Sequence, residues 1–320
     1  MKNRVSGDPG MSDLKLFRIT GGLATELPAG AVALERSLQH VIEGNMEVLF
    51  GVRLLASEYS TGVKHGGRMD SLGIDENYSP VIFEYKRAIN ENVINQGLFY
   101  LDWLMDHRGD FAMLVRERLG AEGAAAVDWR NPRLICIANA FTKYDEHAVQ
   151  QINRSIELVR YRDFGGELLA LELITRAKME QASSEGAPAT PQSSGVHSAG
   201  GISKTVTEYL QQASNELRDL YMAVEDYCVA LGDDVSKKAL KNYFAFRRLK
   251  NFACVEVHPQ TRNVLVYLKV NPDSVTLEDG FSRDVRSIGH FGTGDLELRL
   301  TVPSDFERAQ PLIQRSYEES

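Results

Sequence analysis

The chain has 320 residues, 43% of them hydrophobic and 25% charged, with a net charge of −8 at pH 7. That is ordinary globular material, enough for two domains. No apolar run approaches the ~20 residues that cross a bilayer, which argues against a transporter, and the acidic balance argues against indiscriminate coating of nucleic acid.

In chain order, residues 1–10 hold two glycines and a proline and read as disordered, with Met11 an alternative start. Residues 14–20 alternate apolar and polar like an edge strand, closed by Gly21 and Gly22, and the Met1 end has no signal-peptide core. From 32 to 50, Leu34, Leu38, Val41, Ile42, Met46 and Leu49 follow helical spacing. Glu35 and Glu43 lie within this helix, either as candidate acids or as exposed carboxylates. Residues 51–59 predict the first core strand, and 62–67 a turn whose His65 reads as solvated.

Residues 68–74 and 81–87 predict two further strands, joined by the polar turn 75–80. Glu84 and Lys86 are two apart and share a strand face, and a hairpin returns Asp70 beside Glu84. Two carboxylates and a lysine suit a divalent cation and a phosphate; a solvated strand edge is the alternative. Residues 92–105 predict an amphipathic helix carrying Gln96, stopped at Gly109, followed by a helix over 111–119 and a small-residue loop over 121–126. The dense apolar run 132–138 predicts a strand covered on both faces. Ala148, Ile152, Ile156 and Val159 predict a helix over 144–161, and 167–174 a last strand. Strands alternating with helices give an α/β domain with a mixed central sheet. Cys136, Cys228 and Cys254 make no CxxC or zinc pattern and read as buried apolar residues in a reducing cytoplasm.

The stretch from Arg68-Met-Asp70 through Val81-Ile-Phe-Glu84-Tyr-Lys86-Arg87, with Gln96 ten residues on, resembles the PD-(D/E)xK nuclease core in its RecB-like NucS/EndoMS form. Met69-Asp70 departs from the usual proline-aspartate. The resemblance covers residues 30–176 and implies a restriction-endonuclease-like core with helices flanking the sheet. It further implies Mg²⁺ or Mn²⁺ held by Asp70, Glu84 and the Tyr85 main-chain carbonyl. Lys86 would position the attacking water, Gln96 would support lysine or phosphate, and Glu35 would be an additional acid. Arg68 and Arg87 would meet the phosphate backbone. The expected activity is metal-dependent hydrolysis of phosphodiester bonds, in DNA with RNA not excluded, by a cytoplasmic homodimer. The rival reading is a non-catalytic nucleic-acid-binding or sensor protein that retains the fold.

Residues 1–29 are read as an extension, 30–177 as the nuclease domain, and the Pro/Gly/Ser-rich stretch 178–201 as a flexible linker. Residues 202–320 form a second, small α+β domain: two helices over 205–231, three strands near 243–248, 252–258 and 264–270, and a helix over 305–318. Leu231-Gly-Asp-Asp234, Lys250-Asn-Phe252, Tyr267-Leu-Lys269, Arg283-Asp-Val285 and the loop from Ile288 to Asp295 make this half resemble the DUF5655 domain. Arg247, Arg248 and Lys250, interleaved with Tyr243, Phe244 and Phe246, are candidates for nucleic-acid contact, unless those aromatics are core. The glycine-rich loop carrying His290 and Asp295 is a candidate ligand loop, or a tight structural turn.

Overall fold

The computed structural model describes residues 14–31, 35–62, 65–86, 93–177 and 205–320. The stretch 178–201 and Arg87 lie outside the described residues. The chain divides into two compact units, Met1–Met179 and Glu180–Ser320. No helix among the described residues is long and apolar enough to cross a membrane.

The first unit opens with β1 (Leu16–Thr20) and β2 (Leu23–Leu27), which pair only with each other as a hairpin. The expected edge strand is therefore no part of the main sheet. Next come α1 (Glu35–Gly44), α2 (Met46–Phe50), β3 (Val52–Ser60), β4 (Arg68–Asp75), β5 (Pro80–Lys86), α3 (Val93–Asp106), α4 (Arg108–Ala125), β6 (Arg133–Ala138), α5 (Lys143–Gln150), β7 (Ser155–Phe164) and β8 (Leu168–Ala177). The sheet runs in order β3-β4-β5-β6-β7-β8. β5, β6 and β7 are mutually parallel, while the remaining pairs are antiparallel, so the sheet is mixed as expected.

One core is built where Leu72, Ile82, Leu134, Cys136, Ile156 and Leu158 of the sheet meet Leu101, Leu104, Phe111 and Val115 of α3 and α4. Each such fully buried side chain contributes roughly 1.5–3 kcal/mol. On the approach from the other side, α1 lies against β4 and β5, and Phe50 of α2 meets Phe83 edge-on at 5.2 Å.

Two expectations fail here. Residues 144–161 are not one helix: α5 ends at Gln150 and β7 begins at Ser155. β7 is buried on both faces from Ser155 to Tyr161, so the period of two disappears. Its polar members are matched internally, Glu157 to Arg133 and Arg160 to Glu172. The predicted loop 121–126 is instead the end of α4, which continues past a kink at Gly120, φ 81°.

The second unit contains α6 (Val206–Gln212), α7 (Asn215–Ala230), β9 (Ser236–Ala239), β10 (Phe244–Arg247), β11 (Asn251–His258), β12 (Asn263–Leu268), β13 (Ser282–Asp284), β14 (Leu296–Leu300) and α8 (Pro303–Glu318). Six antiparallel strands in order β13-β14-β12-β11-β10-β9 replace the three expected; the missed ones are only three to five residues long. The three helices share one core with the sheet, through Val206, Leu217, Leu220, Val224, Ala309 and Ile313.

Candidate active site

The site begins with a register. The turn after β4 is closed by Asp75, whose Oδ1 accepts from the Asn77 and Ser79 amides at 2.9 Å each. Gly73 brings β4 against β3 so closely that a Cβ there would stand 2.7 Å from the Arg53 carbonyl oxygen. β4 and β5 then pair from Ile74↔Pro80 to Ser71↔Phe83. One step beyond that last pair, Asp70 faces Glu84.

At this step, side chains take over the ladder. The Asp70 N–H donates to Glu84 Oε1 at 3.3 Å, and the Tyr85 N–H donates to Asp70 Oδ2 at 2.9 Å. Glu84 is fully buried and its Oε2 has no hydrogen-bond partner. Burial, then the charge of Asp70, pushes the Glu84 carboxyl up to about 9, against a lowering by the Asp70 amide and Lys86. Burial likewise pushes Asp70 up to about 6, although the Tyr85 amide and Lys86 pull it down. Two carboxylates this close, one of them fully buried, disfavour each other's charge.

Lys86, at the end of β5, has a side chain only 12% exposed, with Nζ 3.3 Å from Glu35 Oε1. Burial disfavours its charge, but Glu35, Asp70 and Glu84 outweigh burial and raise its pKa, so it is a firm cation. Glu35 at the start of α1 is thus brought to the site. Gln96 Nε2 donates to Tyr100 Oη at 3.2 Å, and the same oxygen accepts the Arg68 N–H at 3.1 Å. Arg68 is exposed and ion-paired with Glu58.

Among the described residues no group of three or more His, Cys, Asp or Glu side chains is gathered as a metal cluster. The donor set nonetheless fits a hard divalent ion. Mg²⁺ takes one or two carboxylates and completes its shell with water and phosphate oxygens, and Glu84 Oε2 is a buried oxygen lacking a partner.

Sequence reasoning missed Gln39, Ser71 and Tyr100, and left Glu43 as an exposed carboxylate or a candidate acid. Glu43 Oε1 in fact accepts from Ser71 Oγ at 2.6 Å and from Gln39 Nε2 at 3.0 Å. The available signal was spacing: Glu35, Gln39 and Glu43 are four apart and share a helix face.

The candidates in the second unit lie on β10, in the turn after it and in the loop before β14. Arg247 is buried, with Nε and Nη2 each 3.4 Å from the Arg248 and Leu249 carbonyl oxygens respectively. Arg248 donates to Asp234 Oδ2 at 2.6 Å and lies over the Tyr317 ring at 4.5 Å. Both guanidiniums are engaged in holding the fold, and Lys250 accepts the Arg248 N–H at its carbonyl. Tyr243, Phe244 and Phe246 are core. His290 stacks on Tyr267 at 4.5 Å with Nδ1 3.0 Å from the Ile288 carbonyl, while the Asp295 main chain bridges Val285 and Leu268. Gly292 and Gly294 are demanded by packing: a Cβ at either would stand 2.6–2.7 Å from Cys254 Cβ or the Leu268 nitrogen. The loop is thus tightly packed, and its His290, Thr293 and Asp295 line a cavity of about 440 Å³ together with Lys269 and Asn271.

Residues 206–320 match the family described as a domain of unknown function, DUF5655. Over 310 residues the chain is 25% identical to an uncharacterized protein of Haemophilus influenzae, covering 95% of this chain and 99% of that one. Among solved structures, a repair endonuclease from Pyrococcus abyssi is similar over 41% of this chain and 48% of its own, at 20% identity and a TM-score of 0.28. An EndoMS complex with double-stranded DNA is similar over 41% and 47%, at 21% identity and a TM-score of 0.25. The similar region spans about half the length of those solved chains.

Proposed function

We propose that the chain is a divalent-metal-dependent nuclease that hydrolyses phosphodiester bonds in DNA. The observation that carries this reading is the fork between β4 and β5. There the buried Glu84 carboxylate faces the half-buried carboxylate of Asp70, one oxygen of Glu84 lacks a partner, and a cationic lysine stands two residues on. Asp70, Glu84 and the Tyr85 carbonyl would hold Mg²⁺ or Mn²⁺, which when bound supplies a water of lowered pKa and positive charge for the phosphate. Lys86, kept charged by its carboxylate neighbours, orients the attacking water and offsets charge developing on the phosphate. Glu35 steers Lys86. Gln96 acts through Tyr100, whose hydroxyl also fixes the Arg68 main chain at the start of β4.

DNA as substrate and the homodimer rest on the motif resemblance of residues 68–96, and the cytoplasmic setting rests on the cysteines. The three cysteines are buried and unpaired, in keeping with a reducing compartment. The test is cleavage of labelled single strands, duplex, flap, mismatch and RNA with Mg²⁺, Mn²⁺ or EDTA. Cutting of DNA that needs the metal and is lost in Glu84→Ala is the expected result. A DNA mobility shift that survives EDTA, with no cleavage by wild type in either metal, would overturn it in favour of a binding or sensor role.

A further inference from the structure

Gln39 is a polar side chain only 7% exposed, on a helix, and the reaction proposed above gives it no part. Its amide nitrogen has three acceptors: the Asp70 carbonyl oxygen at 2.9 Å, Glu43 Oε1 at 3.0 Å and Ser57 Oγ at 3.3 Å. The two nearest can only accept, so the nitrogen, not the amide oxygen, must face them.

The Asp70 carbonyl matters because of where it lies. β4 and β5 stop pairing at Ser71↔Phe83, while on the other side β3 keeps one register from Ser71↔Ser57 to Met69↔Tyr59. Opposite Asp70 in that register, Glu58 of β3 has φ 54°. Asp70 is thus a strand residue one step past the end of the β4–β5 ladder. The Glu84 carboxylate takes its N–H, and Gln39 takes its C=O.

A second chain of bonds reaches the other strand from the same helix. Ser71 Oγ has one hydrogen, which goes to Glu43 Oε1 at 2.6 Å, so Tyr85 Oη, 3.1 Å away, must donate to Ser71 Oγ. Gln39 and Tyr85 therefore converge on Glu43. With Glu35 on Lys86, one face of α1 grips β4 and β5 where they part.

We infer that Gln39 is a positioning residue: its amide wedges the fork open between β4 and β5 and so sets the spacing at which Asp70 and Glu84 hold a divalent cation. This rests on the metal-binding reading above. Gln39 touches neither cation nor substrate. It acts through the Asp70 main chain, with the Glu43–Ser71–Tyr85 chain as its second anchor.

The test compares wild type, Gln39→Met, Ser71→Ala and Asp70→Asn as full chains. Mn²⁺ affinity is measured by calorimetry, and amide exchange of Asp70 and Tyr85 is measured without metal. Gln39→Met should bind Mn²⁺ roughly 10–100-fold more weakly, as substitutions behind metal ligands do. Its Asp70 and Tyr85 amides should exchange faster, and excess Mn²⁺ should restore kcat with KM for DNA unchanged. Ser71→Ala should move in the same direction, and it decides the matter if Gln39→Met fails to fold. Variants that melt at lower temperature yet bind Mn²⁺ like wild type would overturn the inference, leaving Gln39 a packing residue. Wild type that binds no more Mn²⁺ than Asp70→Asn would instead remove the metal-binding reading, and this inference with it.

Discussion

Glu84→Gln should stabilise the metal-free protein, and by an amount that depends on pH. The substitution keeps shape and retains an acceptor for the Asp70 N–H, but removes a carboxyl that burial and Asp70 hold at about 9 against an ordinary 4.5. Because the folded pKa is the higher, the folded chain keeps this proton after the unfolded chain has lost it. Stability is therefore full below pH 4.5 and drains away as pH rises towards 9. At ~1.4 kcal/mol per pH unit above the ordinary value, folding at pH 7 costs the wild type about 3 kcal/mol that the glutamine variant would not incur. For a unit of this size that is a gain of roughly 6–12 °C in Tm. Thermal melts of both proteins in EDTA, from pH 5 to pH 9, give the measurement: the curves should converge near pH 5 and separate steadily above it. Saturating Mn²⁺ should reverse the order, since only wild type gains from ligand binding. Equal melting temperatures at every pH in EDTA would refute the argument that an uncompensated buried carboxyl closes this site.

Lys86→Met should bind Mn²⁺ at least as well as wild type while cleavage falls roughly 100-fold or more, because the lost charge serves the reacting phosphate; single-turnover assays at saturating metal check this. Metal binding at pH 7.5 should release about one proton, chiefly from Glu84, so the calorimetric enthalpy should shift with the ionisation enthalpy of the buffer. Arg133→Met should cost about 3–5 kcal/mol in urea unfolding. It leaves Asp75 and Glu157 buried without the guanidinium now 3.0–3.1 Å from each, and a loss under ~1 kcal/mol would show that the pair finds other partners.

Much of the frame was legible in the chain because it depends on local backbone geometry. Alternation over residues 81–86 identifies β5, and a polar turn before it makes a hairpin, so Asp70 opposite Glu84 follows from counting alone. Gln96 on α3 and the apolar run of β6 were readable for the same reason. β7 was not: a strand buried on both faces shows no alternation, and its Glu157 and Arg160 mimic a helix's polar side until their partners on β6 and β8 are known. Arg247 shows the same limit, since its basic character suggested a phosphate contact while its burial turns it onto neighbouring carbonyls. Glu43 read as an exposed carboxylate or a candidate acid, and only the docking of α1 across β4 and β5 gives it Ser71 and Gln39. The sequence by itself determined which residues lie on which strand face, because that repeats with the backbone every two residues. Which of those polar groups find partners, and which oxygen is left without one, was decided by the tertiary structure, because the groups that satisfy them come from 14 to 31 positions away in the chain.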